Sequence, residues 1–158
     1  MENNMRRNAK KLMCCLSLIL LSTQVFAADV IGQVKVLSGK AFVEREGSPI
    51  KAKLGMPVYQ MDTIVTGKKG SIGLLFNDDS RLSLGSNSTM SLENFNFNKK
   101  THEGNFDVAM HKGTLSVISG KLTARKPGSL KVRTPAAILA VRGTEFSVKV
   151  DASLKGKQ

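Results

Sequence analysis

Cysteine is all but missing from this chain. Its two cysteines, Cys14 and Cys15, stand side by side in an apolar run near the start. A lipid-bearing cysteine follows such a run and has small residues before it. These two lie in its first half, behind Lys11, Leu12 and Met13, so they read as apolar filler. The rest of the chain has no thiol for a disulfide, and its stability must come from a packed core. Histidine is nearly as scarce. His102 and His111 have no carboxylate cluster at ligand spacing beside them, so no zinc site is expected. Asp78-Asp79-Ser80 lacks the further spaced oxygens of a calcium loop and reads as a turn. No serine sits in a recognisable nucleophile turn. The acids that might be paired for sugar chemistry, Asp62, Asp78, Asp79, Glu93, Glu103 and Asp107, mostly flank turns. The chain therefore reads as a non-enzyme with no catalytic residue, metal or cofactor. Helical spacing is absent as well. No stretch after the first 27 residues keeps it for three turns, and none has the roughly 20 apolar residues that span a bilayer.

The first 27 residues read as a targeting segment. Arg6, Arg7, Lys10 and Lys11 form a positive start, Leu12 to Leu21 an apolar run, and Val25-Phe26-Ala27 an acceptable cleavage signal. Cleavage between Ala27 and Ala28 would leave 131 of the 158 residues, one domain's worth. It implies a periplasmic protein, with secretion or surface association as the alternatives. The segment takes four cations and one acid from the chain's net +12, leaving about +9. Such a charge favours polyanions. In the cell envelope those are acidic polysaccharide, lipid headgroups, peptidoglycan and acidic protein faces rather than nucleic acid. The cations are spread over turns, as in Lys68-Lys69, Lys99-Lys100 and Arg125-Lys126, which also suits a plain solvated surface.

What the chain does have is a two-residue beat broken by glycine and proline. All 14 glycines and four prolines fall after the targeting segment. Strands are expected at Gln33 to Leu37, Lys40 to Arg45, Asp62 to Thr66, Ser71 to Phe76 and Arg81 to Leu84. The Asn77-Asp78-Asp79-Ser80 turn is a hairpin, because Asn and Asp tolerate positive φ. Met90 and Leu92, then Phe95 and Phe97, continue the beat. Phe106 to Met110, Thr114 to Ile118, Leu122 to Ala124 and Leu130 to Thr134 are further strands, with Asn98 to Asn105 a polar loop. Glu46 to Pro49 and Leu54 to Pro57 read as a turn and a loop. Residues 28–150 thus form an all-β domain of many short strands, a β-solenoid or a β-sandwich, with a polar tail over 151–158. The runs Ile64-Val65-Thr66-Gly67 and Val132-Arg133-Thr134-Pro135 hint at two loosely similar halves.

The end of the chain carries the most information. Phe146, Val148 and Val150 share one side of an extended segment, with Ser147 and Lys149 opposite. Thr134-Pro135 ends a strand, since proline cannot donate to a ladder. Arg142-Gly143-Thr144 reads as a tight turn or bulge into the last strand. Together with Gly32-Gln33-Val34, Leu54-Gly55, Asp62-Thr63-Ile64-Val65-Thr66-Gly67, Ser71-Ile72-Gly73-Leu74 and Gly113-Thr114-Leu115, this ordered set resembles the FecR-like domains, bacterial all-β envelope modules. The hairpin has Asp79 where the family usually has glycine.

The resemblance implies that Thr66, Gly67, Thr134, Pro135, Arg142, Gly143, Thr144 and Phe146 are signature residues with mainly structural roles. Arg142 would cap carbonyls around the Thr134-Pro135 turn, pair with a carboxylate, or offer its fork to an anionic partner. Phe95 and Phe97, beside Asn94, Asn96 and Asn98, read as core or as an aromatic sugar-binding face for a partner. Family members that hold a sigma factor do so through a cytoplasmic region. Only about ten residues precede the apolar run here, so an anti-sigma role is the least favoured. The expected function is a stand-alone exported interaction module, a sensor or scaffold accessory that binds an envelope protein. The alternative is a glycan- or peptidoglycan-binding module using its basic surface.

Overall fold

The pattern of apolar residues around Gly113 dictates the architecture. Phe106, Val108 and Met110 are buried at even positions, and Leu115 and Val117 at odd ones. A regular strand cannot bury both sets on one face, because its side chains alternate with period two. The computed structural model of the chain describes residues 29–142 and 145–151, and in it one strand, Gly104–Ile118, carries both sets through a corner. At that corner Gly113 adopts φ +94, and a Cβ there would stand 2.2 Å from Ser88 Oγ. The two strands expected on either side of Gly113 are therefore one.

The strands in chain order are β1 (Val30–Ser38), β2 (Ala41–Arg45), β3 (Ser48–Lys51), β4 (Pro57–Tyr59), β5 (Thr63–Thr66), β6 (Ser71–Phe76), β7 (Arg81–Leu84), β8 (Thr89–Phe97) and β9 (Gly104–Ile118). A short helix, α1 (Lys121–Arg125), precedes β10 (Leu130–Arg133), β11 (Ile138–Ala140) and β12 (Glu145–Val150). β7 runs antiparallel along the second half of β9 and β8 along its first half. On the other side of β9 lie β10, parallel to its first half, and β12, antiparallel to its second. One sheet thus reads β4-β1-β6-β7-β9-β12 and the other β3-β2-β5-β8-β9-β10-β11, with β9 shared. The result is a continuous sheet curled on itself in a sandwich-like all-β fold, as the strand pattern predicts.

The two layers bury one apolar cluster. Val34, Ile72, Leu74, Leu82 and Leu84 enter from one, and Val43, Ile64, Met90, Leu92, Leu130 and Val132 from the other. Each such side chain contributes about 1.5–3 kcal/mol on leaving water. A register shift between Leu92 and Asn94 explains why the inward residues of β8 change from even (Met90, Leu92) to odd (Phe95, Phe97). A partly buried ion pair ties β2 to the link between β4 and β5. Arg45 donates from Nε and Nη2 to the two carboxylate oxygens of Asp62, both at 2.8 Å, and its guanidinium lies 4.2 Å over the Tyr59 ring. The hydrogen bond to Asp62 holds the Arg45 guanidinium above its usual pKa.

Several sequence expectations change. Leu122 to Ala124 lies in α1, not in a strand. A parallel strand cannot follow by a tight turn and needs a crossover, and α1 supplies it between β9 and β10. Lys121 N donates to Asp78 O at 2.7 Å and Gly120 N to Ser80 Oγ at 3.0 Å, docking this crossover on the β6–β7 hairpin. Ser48–Lys51 and Pro57–Tyr59 are strands rather than turn and loop residues, and Ile138–Ala140 is a strand as well. The two segments expected to head similar halves pair differently. β5 has two antiparallel neighbours, whereas β10 is parallel to one neighbour and antiparallel to the other. The targeting segment 1–27, its Ala27–Ala28 junction, Gly143, Thr144 and the tail from residue 152 lie outside the described residues.

Candidate functional site

The signature residues fall at three places. Thr66 and Gly67 are at the corner between the layers. Thr66 Oγ1 donates to Gly85 O at 2.6 Å and accepts from Ser88 N at 2.9 Å, while Gly67 N donates to Lys40 O at 2.9 Å. The Thr66 bonds fasten the β7–β8 link where β9 bends, and the Gly67 bond ties that corner to the β1–β2 turn. Thr134 and Pro135 form the tip of the β10–β11 hairpin. Thr134 Oγ1 sits 2.9 Å from Ala137 O and 3.0 Å from Ala137 N, closing the turn that Pro135 enters. Phe146 lies on β12, half-buried with Val148, while Glu145, Ser147 and Lys149 face solvent. That is the alternation read from the sequence.

Arg142 is exposed and makes no hydrogen bond or ion pair among the described residues. It does not cap the Thr134-Pro135 turn. The register pairs Lys131 with Ala140 and Arg133 with Ile138, which puts Arg142 five positions from Thr134 along the hairpin, roughly 17 Å at strand rise. Its neighbours are instead Leu139, Val141, Glu145 and Phe146, around a shallow groove. A second groove, about 380 Å³, runs between the hairpin tip (Thr134, Pro135, Ala136) and the end of β12 (Val148, Lys149, Val150, Asp151). β11 and β12 thus stand at the edges of the two layers with an apolar seam between them. Among the described residues, no strand other than β9 pairs with β12.

Phe95 and Phe97 belong elsewhere. Phe95 packs on Phe76 and edge-on to Phe106, with centroids 5.9 and 5.0 Å apart, so it extends the core. Phe97 stacks on His102 at 6.0 Å, at the β8–β9 tip. Ser91 Oγ lies 2.9 Å from His111 Nε2 and 2.9 Å from Thr63 Oγ1. These three form a polar row across β5, β8 and β9 on an outer face, with no pocket beside it among the grooves described. No group of three or more His, Cys, Asp or Glu gathers as a metal site among the described residues. The open edge of β12 is the feature that sequence reasoning missed. Its alternation was visible, but its having one neighbour rather than two depends on pairing with residues 113–118.

A model of the FecR protein family matches residues 62–155. The chain belongs to the FecR family. The match runs from the start of the Asp62–Thr66 segment to beyond β12 and includes every signature residue named above. The FecR family is envelope-associated and has signalling and regulatory rather than enzymatic members. No curated protein matches the chain. A solved structure described as a cell surface anchoring domain is 31% identical over 39% of this FecR-family chain and 82% of that one, with a TM-score of 0.38, a local likeness. No helix among the described residues is long and apolar enough to cross a membrane.

Proposed function

We propose that this FecR-family chain is a non-enzymatic envelope module, exported by loss of its first 27 residues to the periplasm, that binds a protein partner through the open edge of β12 as a sensor or scaffold accessory. The observation that carries this reading is that edge. Among the described residues the six of β12 are paired on one side only, with Val148 half-buried beside one apolar groove and Phe146 beside the other. An extended strand added there gains main-chain hydrogen bonds together with apolar burial.

In-cell crosslinking from position Val148, followed by mass spectrometry, tests it. A specific protein adduct is expected. Failure to form any protein adduct, with sedimentation on purified cell-wall sacculi instead, overturns it. The second reading, glycan binding, draws on a different place. A polar groove lies between Glu103, Gly104, Asn105, Arg125 and Lys126, near Phe97. Binding there through charge should weaken steeply above about 0.15 M salt, where the screening length is near 8 Å.

A further inference from the structure

We infer that β12 pairs antiparallel with β12 of a second copy of this chain, in a register centred on Ser147. The inference rests on the reading of β12 as the protein-binding edge and names the partner as the chain itself.

The four edge strands among the described residues are unequal. β3 carries Pro49, and β4 has three residues and begins with Pro57. β11 has three residues and follows Pro135. Proline and shortness are the ordinary ways of keeping an edge from pairing. β12 has neither: it is six residues long, without proline, and regularly alternating.

The sequence of β12 is also complementary to itself. A two-fold axis through the sheet must pair outer residues with outer ones and apolar with apolar, so it must pass through a residue and not between two. Centred on Ser147, it sets Glu145 opposite Lys149 of the second copy, and Lys149 opposite that copy's Glu145. Phe146 then meets Val148 twice, an aromatic–β-branched pair, and Ser147 meets Ser147. Centred on Val148, the axis would instead set Glu145 opposite Asp151 twice, with like charges facing. Neither charge is committed inside the monomer. Glu145 has no ion pair among the described residues, and Lys149 has only Asp151 at 3.4 Å, both side chains over 70% exposed. Ser83, Ser116 and Ser147 are aligned across β7, β9 and β12, so the joined sheets would carry one unbroken serine row.

The test uses protein purified from cells expressing the full chain, on a Cys14→Ser, Cys15→Ser background. Under mild oxidation Ser147→Cys should give a covalent dimer, because residues directly opposite have Cα atoms about 4.5–5.5 Å apart, within disulfide reach. Glu145→Cys should not, being roughly 14 Å from its own counterpart at strand rise. Without cysteine, sedimentation should find a dimer whose Kd rises on the order of tenfold in Glu145→Lys or Lys149→Glu and recovers when both changes are combined. A monomer at every concentration, or crosslinking that does not distinguish the two positions, overturns the inference. If that monomer still crosslinks from Val148 to a different protein in cells, the protein-binding reading stands and only self-pairing falls. If it crosslinks to nothing, both fall.

Discussion

Asp62 is a carboxylate 1% exposed, met by two guanidinium nitrogens and by the Tyr59 N–H at 2.9 Å. Its dependence on one partner makes Arg45 a sensitive position. Removing one member of a buried pair costs about 3–5 kcal/mol because the other stays charged. Arg45 is itself 30% exposed, so water softens the loss. Arg45→Leu should lower stability by about 2–3 kcal/mol in urea unfolding. The Arg45 pKa is raised, so the pair's stabilisation is complete below the guanidinium's unfolded pKa and is lost only as pH rises past its folded one. Arginine titrates far above neutrality, so between pH 6 and 9 the Arg45 guanidinium should contribute no slope to stability against pH. Asp79 offers the opposite case. It holds φ +67 in the β6–β7 hairpin, the position where the family's glycine would stand. Its ion pair with Lys121 at 2.8 Å is exposed and worth little. Asp79→Gly should therefore raise stability slightly, by about 0.5 kcal/mol in urea unfolding.

At the scale of elements the corner of β9 decides most. Gly113 has φ +94, and a Cβ would meet Ser88 Cα at 2.5 Å as well as its hydroxyl. Gly113→Ala should cost about 2–4 kcal/mol, since backbone must move. Gly47, at φ +77 with nothing within 4 Å of its would-be Cβ, is the matched control. Gly47→Ala should cost only about 1 kcal/mol, from φ alone. Thermal unfolding of the two variants separates clash from backbone preference. Elements with a full period-two pattern and a turn at each end were legible in the sequence. Ser71–Phe76 and Arg81–Leu84 lie where the alternation put them, and the Asp79 turn has the backbone it required. What escaped was too short to show a period. β4 and β11 have three residues each, and α1 has five, with Leu122 and Thr123 its buried ones. A local pattern also cannot say which strand gains a second neighbour. That is why Phe146 and Val148 could be placed on one face while the open edge beside them stayed hidden, and why Arg142 was expected at a turn from which the hairpin register separates it.

Over the whole molecule, β9 belongs to both layers and the apolar cluster is common to them. Neither layer has a core of its own to keep if the other opens, so unfolding should be all-or-none. The chain's only tyrosine, Tyr59, sits on edge strand β4 under Arg45, and there is no tryptophan. Tyrosine fluorescence, which reports that edge, and far-UV circular dichroism, which reports all strands, should change with one midpoint in urea. Two separated midpoints would mean that the layers unfold independently.

The placement of β10 and β12 on the same side of β9 also sets an order of assembly. A chain made from its N-terminus has β1 to β9 in hand once residue 118 has emerged, and these strands satisfy one side of β9 by themselves. The other side waits for residues 130–150. Until they arrive, that side of β9, along Phe106–Ala109 and Gly113–Ile118, stands bare as an edge, the kind of template on which nascent chains cross-pair and aggregate. The β10 and β12 segments are thus this protein's own late-arriving chaperone: they cover in cis what would otherwise recruit a neighbour in trans.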